Sequence, residues 1–163
     1  MNITQINDRD IAASAAHLTL RLRRLDREII AWCARNGLTL LRLSLGIIYV
    51  WFGALKLFPG VSPIQGFIFE AMGFMPLDIL YPFLAVWEVA VGLLFLSGKF
   101  PRLTIFLMLT QMVGAMSPLV LRPDLIFVNF PYQFTLVGQY IVKDVILVTQ
   151  ALVLAPGVRG KGR

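Results

Sequence analysis

LTLLRLSLGIIYVWFGALKLF, running from Leu38 to Phe58, is the stretch whose reading decides the fold. Its 21 residues hold only two charges, Arg42 and Lys56. A helix of about 20 residues, rising about 1.5 Å per residue, crosses about 30 Å of hydrocarbon. Three further apolar runs reach or approach that length: Leu80 to Ser97, Leu103 to Leu121 and Thr135 to Ala155. None shows the period-two alternation of barrel strands, and hydrocarbon offers no outside partner for backbone N–H and C=O groups. The pattern predicts an all-α integral membrane four-helix bundle. Only Gly98, Lys99, Phe100, Pro101 and Arg102 separate the second and third runs, so these form a tight hairpin.

Composition agrees. Of 163 residues, 58% are hydrophobic and 15% charged, and the mean hydropathy is +0.76. A soluble domain is about half apolar and about a quarter charged. The formal net charge of +6 raises the question of nucleic acid, but the basic residues flank the apolar runs and act as topology signals. No nucleic-acid partner is expected; the partner is the lipid bilayer. One side of the predicted membrane carries Arg9, Arg21, Arg23, Arg24, Arg27, Arg35, Lys99, Arg102, Arg159, Lys161 and Arg163. The other side carries Arg122, with Lys56 at the margin of the first span. Positive charge marks the cytoplasmic side, so both termini are expected in the cytoplasm.

Cys33 and His17 are the sole residues of their types. One thiol forms no intrachain disulfide and no dithiol pair, and bis-histidine haem and Cys/His zinc sites lack ligands. No resident cofactor or metal is expected, and no catalytic motif is legible. The first long apolar run starts too late, and is too long, for a cleaved signal peptide, so it reads as a retained anchor.

Three segments follow: a basic amphipathic helix over 1–37, the membrane domain over 38–155 and a basic tail over 156–163. In the first, Ile11, Ala15, Leu18, Leu22, Leu25, Ile29 and Trp32 recur at alternating steps of four and three. That spacing makes one apolar stripe on a helix ending near Gly37. The stripe suits either a partner or coiled-coil helix, or an interfacial helix on anionic lipid. The second reading is preferred here, because the stripe spans only some three heptads. The loops Pro59 to Asp78 and Arg122 to Phe134 are rich in Phe, Pro and Gly. Phe67, Phe69, Phe74, Phe127, Phe130, Tyr132 and Phe134 are expected to form an aromatic belt at the outer interface, with a hydrophobic-ligand entrance as the sharper alternative.

Ionisable residues inside a span are costly, which makes Arg42, Lys56, Glu88, Lys143 and Asp144 candidates. In the first span Arg42, Gly46, Tyr49, Gly53 and Lys56 share one helical face. Arg42 and Lys56 are near enough to the span ends to snorkel, in opposite directions. Glu88 is about 12 Å into its span, and Lys143 and Asp144 lie at nearly the same depth in theirs. Tyr49 and Gln111 fall near mid-membrane. An unpaired carboxylate there would cost several kcal/mol or take up a proton. The expected solution is a Glu88–Lys143 ion pair supported by Asp144, Tyr49 and Gln111. Such a layer serves either to fix helix register or to handle protons and bind a ligand.

LRLSLGIIYVWFGALKL resembles the opening helix of DoxX-like membrane proteins, with Arg42, Gly53 and Lys56 at matching places. WEVAVGLLFLSG, with Glu88 and Gly92, resembles the second helix of that family. GQYIVKDVILVTQALVL (Gly138 to Leu154) is similar to the G-[RQ]-[YF]-x-x-K-D helix of the YkgB-type branch, where loops like those around Ser62-Pro63 and Ser117-Pro118 also occur. The resemblance covers Leu38 to Ala155 and implies a bacterial inner-membrane protein. Some such proteins are similar to the small membrane subunit of thiosulfate:quinone oxidoreductase, and others are linked with oxidative or reactive-chlorine stress. Together with the polar layer, it implies a subunit or accessory of a redox or stress-response system that binds a quinone or other lipophilic molecule at mid-membrane, working with a redox partner subunit or as a homo-oligomer. The alternatives are a small proton-coupled transporter or channel, and a structural subunit docking partners through its N-terminal helix.

Overall fold

The computed structural model describes the backbone of residues 3–155 and the side chains of residues 13–155 except residue 16. The basic tail over 156–163, with Arg159, Lys161 and Arg163, lies outside the described residues, as do the side chains of Arg9 and Ile11. The chain divides into two compact units, Met1–Thr39 and Leu40–Arg163.

The first unit is formed by the part of α1 (Ile3–Lys56) that runs up to Thr39. The helix does not end near Gly37, as the sequence suggested. A glycine stops a helix by adopting positive φ, and among the described residues the positive-φ glycines are Gly60 and Gly98. Gly37 keeps helical geometry within α1. The neighbouring Asn36 side chain donates back to the Trp32 carbonyl at 2.9 Å, along the helix.

The second unit holds the remainder of α1, then α2 (Gln65–Ala71), α3 (Leu77–Ser97), α4 (Pro101–Met116), α5 (Pro118–Leu121), α6 (Pro123–Ile126), β1 (Phe127–Asn129), β2 (Gln133–Phe134) and α7 (Leu136–Leu154). Among the described residues, four helical stretches are long and apolar enough to cross a membrane: Ala13–Lys56, Leu77–Ser97, Pro101–Leu121 and Leu136–Leu154. The chain is an all-α membrane bundle. Pro118 interrupts the third stretch between α4 and α5, because its ring removes the N–H that an uninterrupted helix would use. The second apolar run, read from Leu80, lies in a helix that opens earlier: α3 starts at Leu77 and holds Pro82 inside.

Glycine sets how closely α1 and α3 approach. A Cβ placed on Gly92 would sit 2.6 Å from the Val50 backbone nitrogen and 2.8 Å from the Gly46 carbonyl oxygen. One on Gly53 would sit 2.8 Å from the Val89 nitrogen. The two backbones are therefore in direct contact, the arrangement small residues permit between membrane helices. Leu45, Tyr49, Val91, Phe95, Ile105, Met108, Met112 and Ala151 form the core at the centre of the bundle. Trp51, Phe83, Phe106, Val113 and Ile146 point outward and are more than half exposed, which suits contact with lipid.

The two long loops are not featureless. α2 carries Phe69 edge-on to Tyr81 with ring centroids 5.3 Å apart. β1 and β2 form a short antiparallel hairpin pairing Phe127 with Phe134. Phe127 also packs edge-on against Phe130, at 5.0 Å. Arg122 ties the loops together by donating to the Glu70 carbonyl oxygen at 2.9 Å. Of the seven expected belt aromatics, Phe74, Phe130 and Tyr132 are strongly exposed, whereas Phe67, Phe127 and Phe134 are half-buried.

Candidate functional site

α1 brings Lys56 to its C-terminal end on the same face as Gly53, one turn earlier. Because Gly53 has no side chain, Glu88 of α3 comes against that face. The Lys56 ammonium then donates to Glu88 Oε2 at 2.5 Å. On the other side of the carboxylate, the Gln111 side-chain amide of α4 donates to Glu88 Oε1 at 2.8 Å. The pair is well buried, with side-chain exposures of 8% for Lys56 and 14% for Glu88. Three helices thus meet at one carboxylate, each oxygen of which has its own donor.

This corrects the expected partner. Glu88 does not pair with Lys143, which is exposed on α7 with its ammonium 5.6 Å from the centroid of the Tyr140 ring. That contact is a cation–π interaction on the outward face. Lys56, expected to snorkel outward, turns inward instead. Two physical facts lie behind the change. α3 begins at Leu77, which puts Glu88 twelfth in its helix, and the glycine-lined contact gives Lys56 a carboxylate within reach of its four-carbon stem.

Asp144, next to Lys143 on α7, is partly buried and lies within electrostatic reach of both Glu88 and Lys56. Adjacent helical residues point about 100° apart, so one faces inward as the other faces out. Tyr49, two turns before Lys56 on α1, is buried, and its ring packs 6.2 Å from that of Phe95. Its hydroxyl is buried without a hydrogen-bond partner among the described residues, as are Gln111 Oε1, Trp87 Nε1 and Tyr81 O–H. Buried polar groups ordinarily find partners, so four orphaned atoms on the three helices that meet at Glu88 are unusual. Sequence reading did not single out Tyr81 or Trp87. The signal was present: Tyr81 is seven residues before Glu88 on the same helical face, and Trp87 adjoins it.

Arg42 stands apart from this cluster. Its guanidinium lies against Gly98, the left-handed C-cap of α3 at φ 63°. A cation there complements the partial negative charge of the helix end, and the left-handed φ of Gly98 is the conformation that glycine adopts without strain.

Fold and site together define the class: a small helical membrane bundle whose interior is crossed by a hydrogen-bonded ionic cluster. A model of the DoxX family matches residues 37–122, just over half of the chain, and the chain belongs to the DoxX family. The matched region contains Lys56, Glu88 and Gln111; Lys143 and Asp144 follow it. No curated protein and no solved structure matches the chain.

Proposed function

We propose that this DoxX-family protein is an accessory subunit of a bacterial inner-membrane redox or stress-response system, with both termini in the cytoplasm, and that it holds a quinone at the Lys56–Glu88–Gln111 cluster. One observation carries this reading. Buried hydrogen-bonding atoms of Tyr49, Trp87 and Gln111 stand without partners among the described residues, on the same helices that supply an ion pair.

The residues present fit such a ligand. The Tyr49 hydroxyl and the Trp87 indole N–H are donors suited to a quinone carbonyl, and Gln111 Oε1 is an acceptor suited to a quinol hydroxyl. When bound, the quinone would supply two-electron redox chemistry, with electrons from a partner subunit. The chain's own part is positional and protonic. Lys56 and Gln111 hold the Glu88 carboxyl group in one orientation. Glu88, with Asp144 beside it, exchanges protons at its carboxylate oxygens. The flanking helices keep water from the cluster.

The test is chemical. Lipid extracts of the purified protein should contain quinone in near-stoichiometric amount, and added quinone should raise the unfolding temperature. Glu88→Gln should weaken the response to quinone, and Tyr49→Phe should do so without lowering the unfolding temperature of the free protein by more than a few degrees. Extracts free of quinone, together with a protein thermally indifferent to it, would remove the basis of the reading.

A further inference from the structure

We infer that the helix of the first unit pairs in parallel with the same helix of a second copy of this chain, as a two-stranded coiled coil. The argument begins with the width of the apolar stripe. A helix lying on lipid needs an apolar arc of about 100° or more, whereas a strict a/d stripe is the narrower seam of a coiled coil. Leu18, Leu22, Leu25, Ile29 and Trp32 follow the strict four–three alternation, and each is at least half exposed. Because α1 does not stop at Gly37, the register runs on through Asn36 and Thr39. Ala15, Leu22, Ile29 and Asn36 then occupy a, and Ile11, Leu18, Leu25, Trp32 and Thr39 occupy d. Ile29 at a, with Leu18 and Leu25 at d, matches the β-branched-a, leucine-d preference of parallel dimers, and the single asparagine at a is the device that fixes register there. The basic residues Arg23, Arg24 and Arg27 fall at b, c and f, away from the seam. Leu20 at f and Ile30 at b lie on that far side too and do not widen the stripe.

Charge at the flanks selects the partner. In a parallel pair each g residue faces the e residue five positions later on the other strand. Arg21 at g therefore meets Asp26 of the second copy, twice by symmetry. Glu28 at g meets Cys33, and Ser14 meets Thr19, so no like charges are opposed. Within its own chain Glu28 is bridged by Arg24 at 3.0 Å. Arg21 and Asp26 form no ion pair among the described residues. Copies inserted the same way in one membrane also present these helices in parallel.

Cysteine scanning of the full-length protein in membranes tests the pairing. In a Cys33→Ser background, Leu22→Cys, Leu25→Cys and Ile29→Cys should form disulfide dimers on mild oxidation at least several-fold more than Arg23→Cys and Arg27→Cys. Arg21→Glu should lower the dimer yield of Leu25→Cys several-fold, and Arg21→Glu with Asp26→Arg should restore it. A flat cross-linking profile would overturn the proposal. So would seam positions that form no dimer and instead become shielded from water-soluble maleimide only in vesicles containing anionic phosphatidylglycerol, the signature of a lipid-bound helix. Equal yields for the Arg21→Glu single variant and the charge swap would overturn the parallel register.

Discussion

Lys56–Glu88 and Arg122–Asp124 are both ion pairs between a basic side chain and a carboxylate, yet they belong to different physical settings. Arg122 grips Asp124 in the loop with two bonds, at 2.8 and 3.1 Å, where the side chains are 37% and 59% exposed. Lys56 and Glu88 are enclosed by helices. In water an ion pair contributes little, because solvent already serves both charges. In an apolar interior, removing one partner strands the other and costs about 3–5 kcal/mol, although the intact pair need not outperform a well-packed apolar replacement. The surface pair is therefore a tether, and the buried pair is a constraint: it penalises any packing that separates α1 from α3.

Truncating one side of the buried pair should give the largest effect. Glu88→Ala should lower unfolding free energy in detergent by about 3–5 kcal/mol, and the double variant Lys56→Met with Glu88→Leu should recover most of it. If the double variant is as unstable as the single, the cluster contributes through something other than stranded charge. Next comes the glycine contact. Gly92→Val should cost about 1–3 kcal/mol by overpacking, since its side chain would meet the Val50 backbone, and a near-neutral result would show that α1 and α3 can separate freely. Lys143→Leu tests the contrast from the lipid-facing side and should stay within about 0.5 kcal/mol of the parent. A loss comparable to Glu88→Ala would return Lys143 to the interior.

The smallest effect is expected at the loop pair, read by pH. The Arg122 hydrogen bonds hold the Asp124 carboxyl below the usual carboxylate range, against the opposing effect of desolvation. A depressed folded-state pKa contributes stability that is fully present above the unfolded value and is lost as pH falls through the folded one. Protection of the amides near Asp124, taken relative to their intrinsic exchange rates, should therefore hold at neutral pH and fall only under acid, below the ordinary aspartate range. Asp124→Asn should abolish that acid dependence. Protection that falls already near pH 6 would assign the titration to another group.

Much of this was legible before any coordinates. Apolar run length fixed four spans, because the bilayer imposes a length that few soluble segments match. Depth counting also brought Glu88 and Gln111 to one level, and they are hydrogen-bonded. Depth is only one coordinate, however. Lys143 and Glu88 were matched by depth, but the direction in which a side chain leaves its helix depends on which faces pack together. That is decided by Gly46, Gly53 and Gly92, whose significance lies in pairs across helices that a single run cannot reveal. The interfacial anchor expected at Lys56 gives way for the same reason. Its partner is 32 residues away in sequence, and only the seating of α3 on α1 brings the two together. The helix end expected near Gly37 failed differently: glycine permits a stop, but nothing after it demanded one.

The order of synthesis gives the buried pair a temporal meaning. Lys56 leaves the ribosome 32 residues ahead of Glu88, so the first span reaches the insertion machinery with its lysine still unmatched. At the end of its helix, that lysine can first reach the interface. It turns inward once α3 arrives and brings Glu88 within reach. A contact that fixes packing in the finished protein would then also set the sequence of events by which the protein is built.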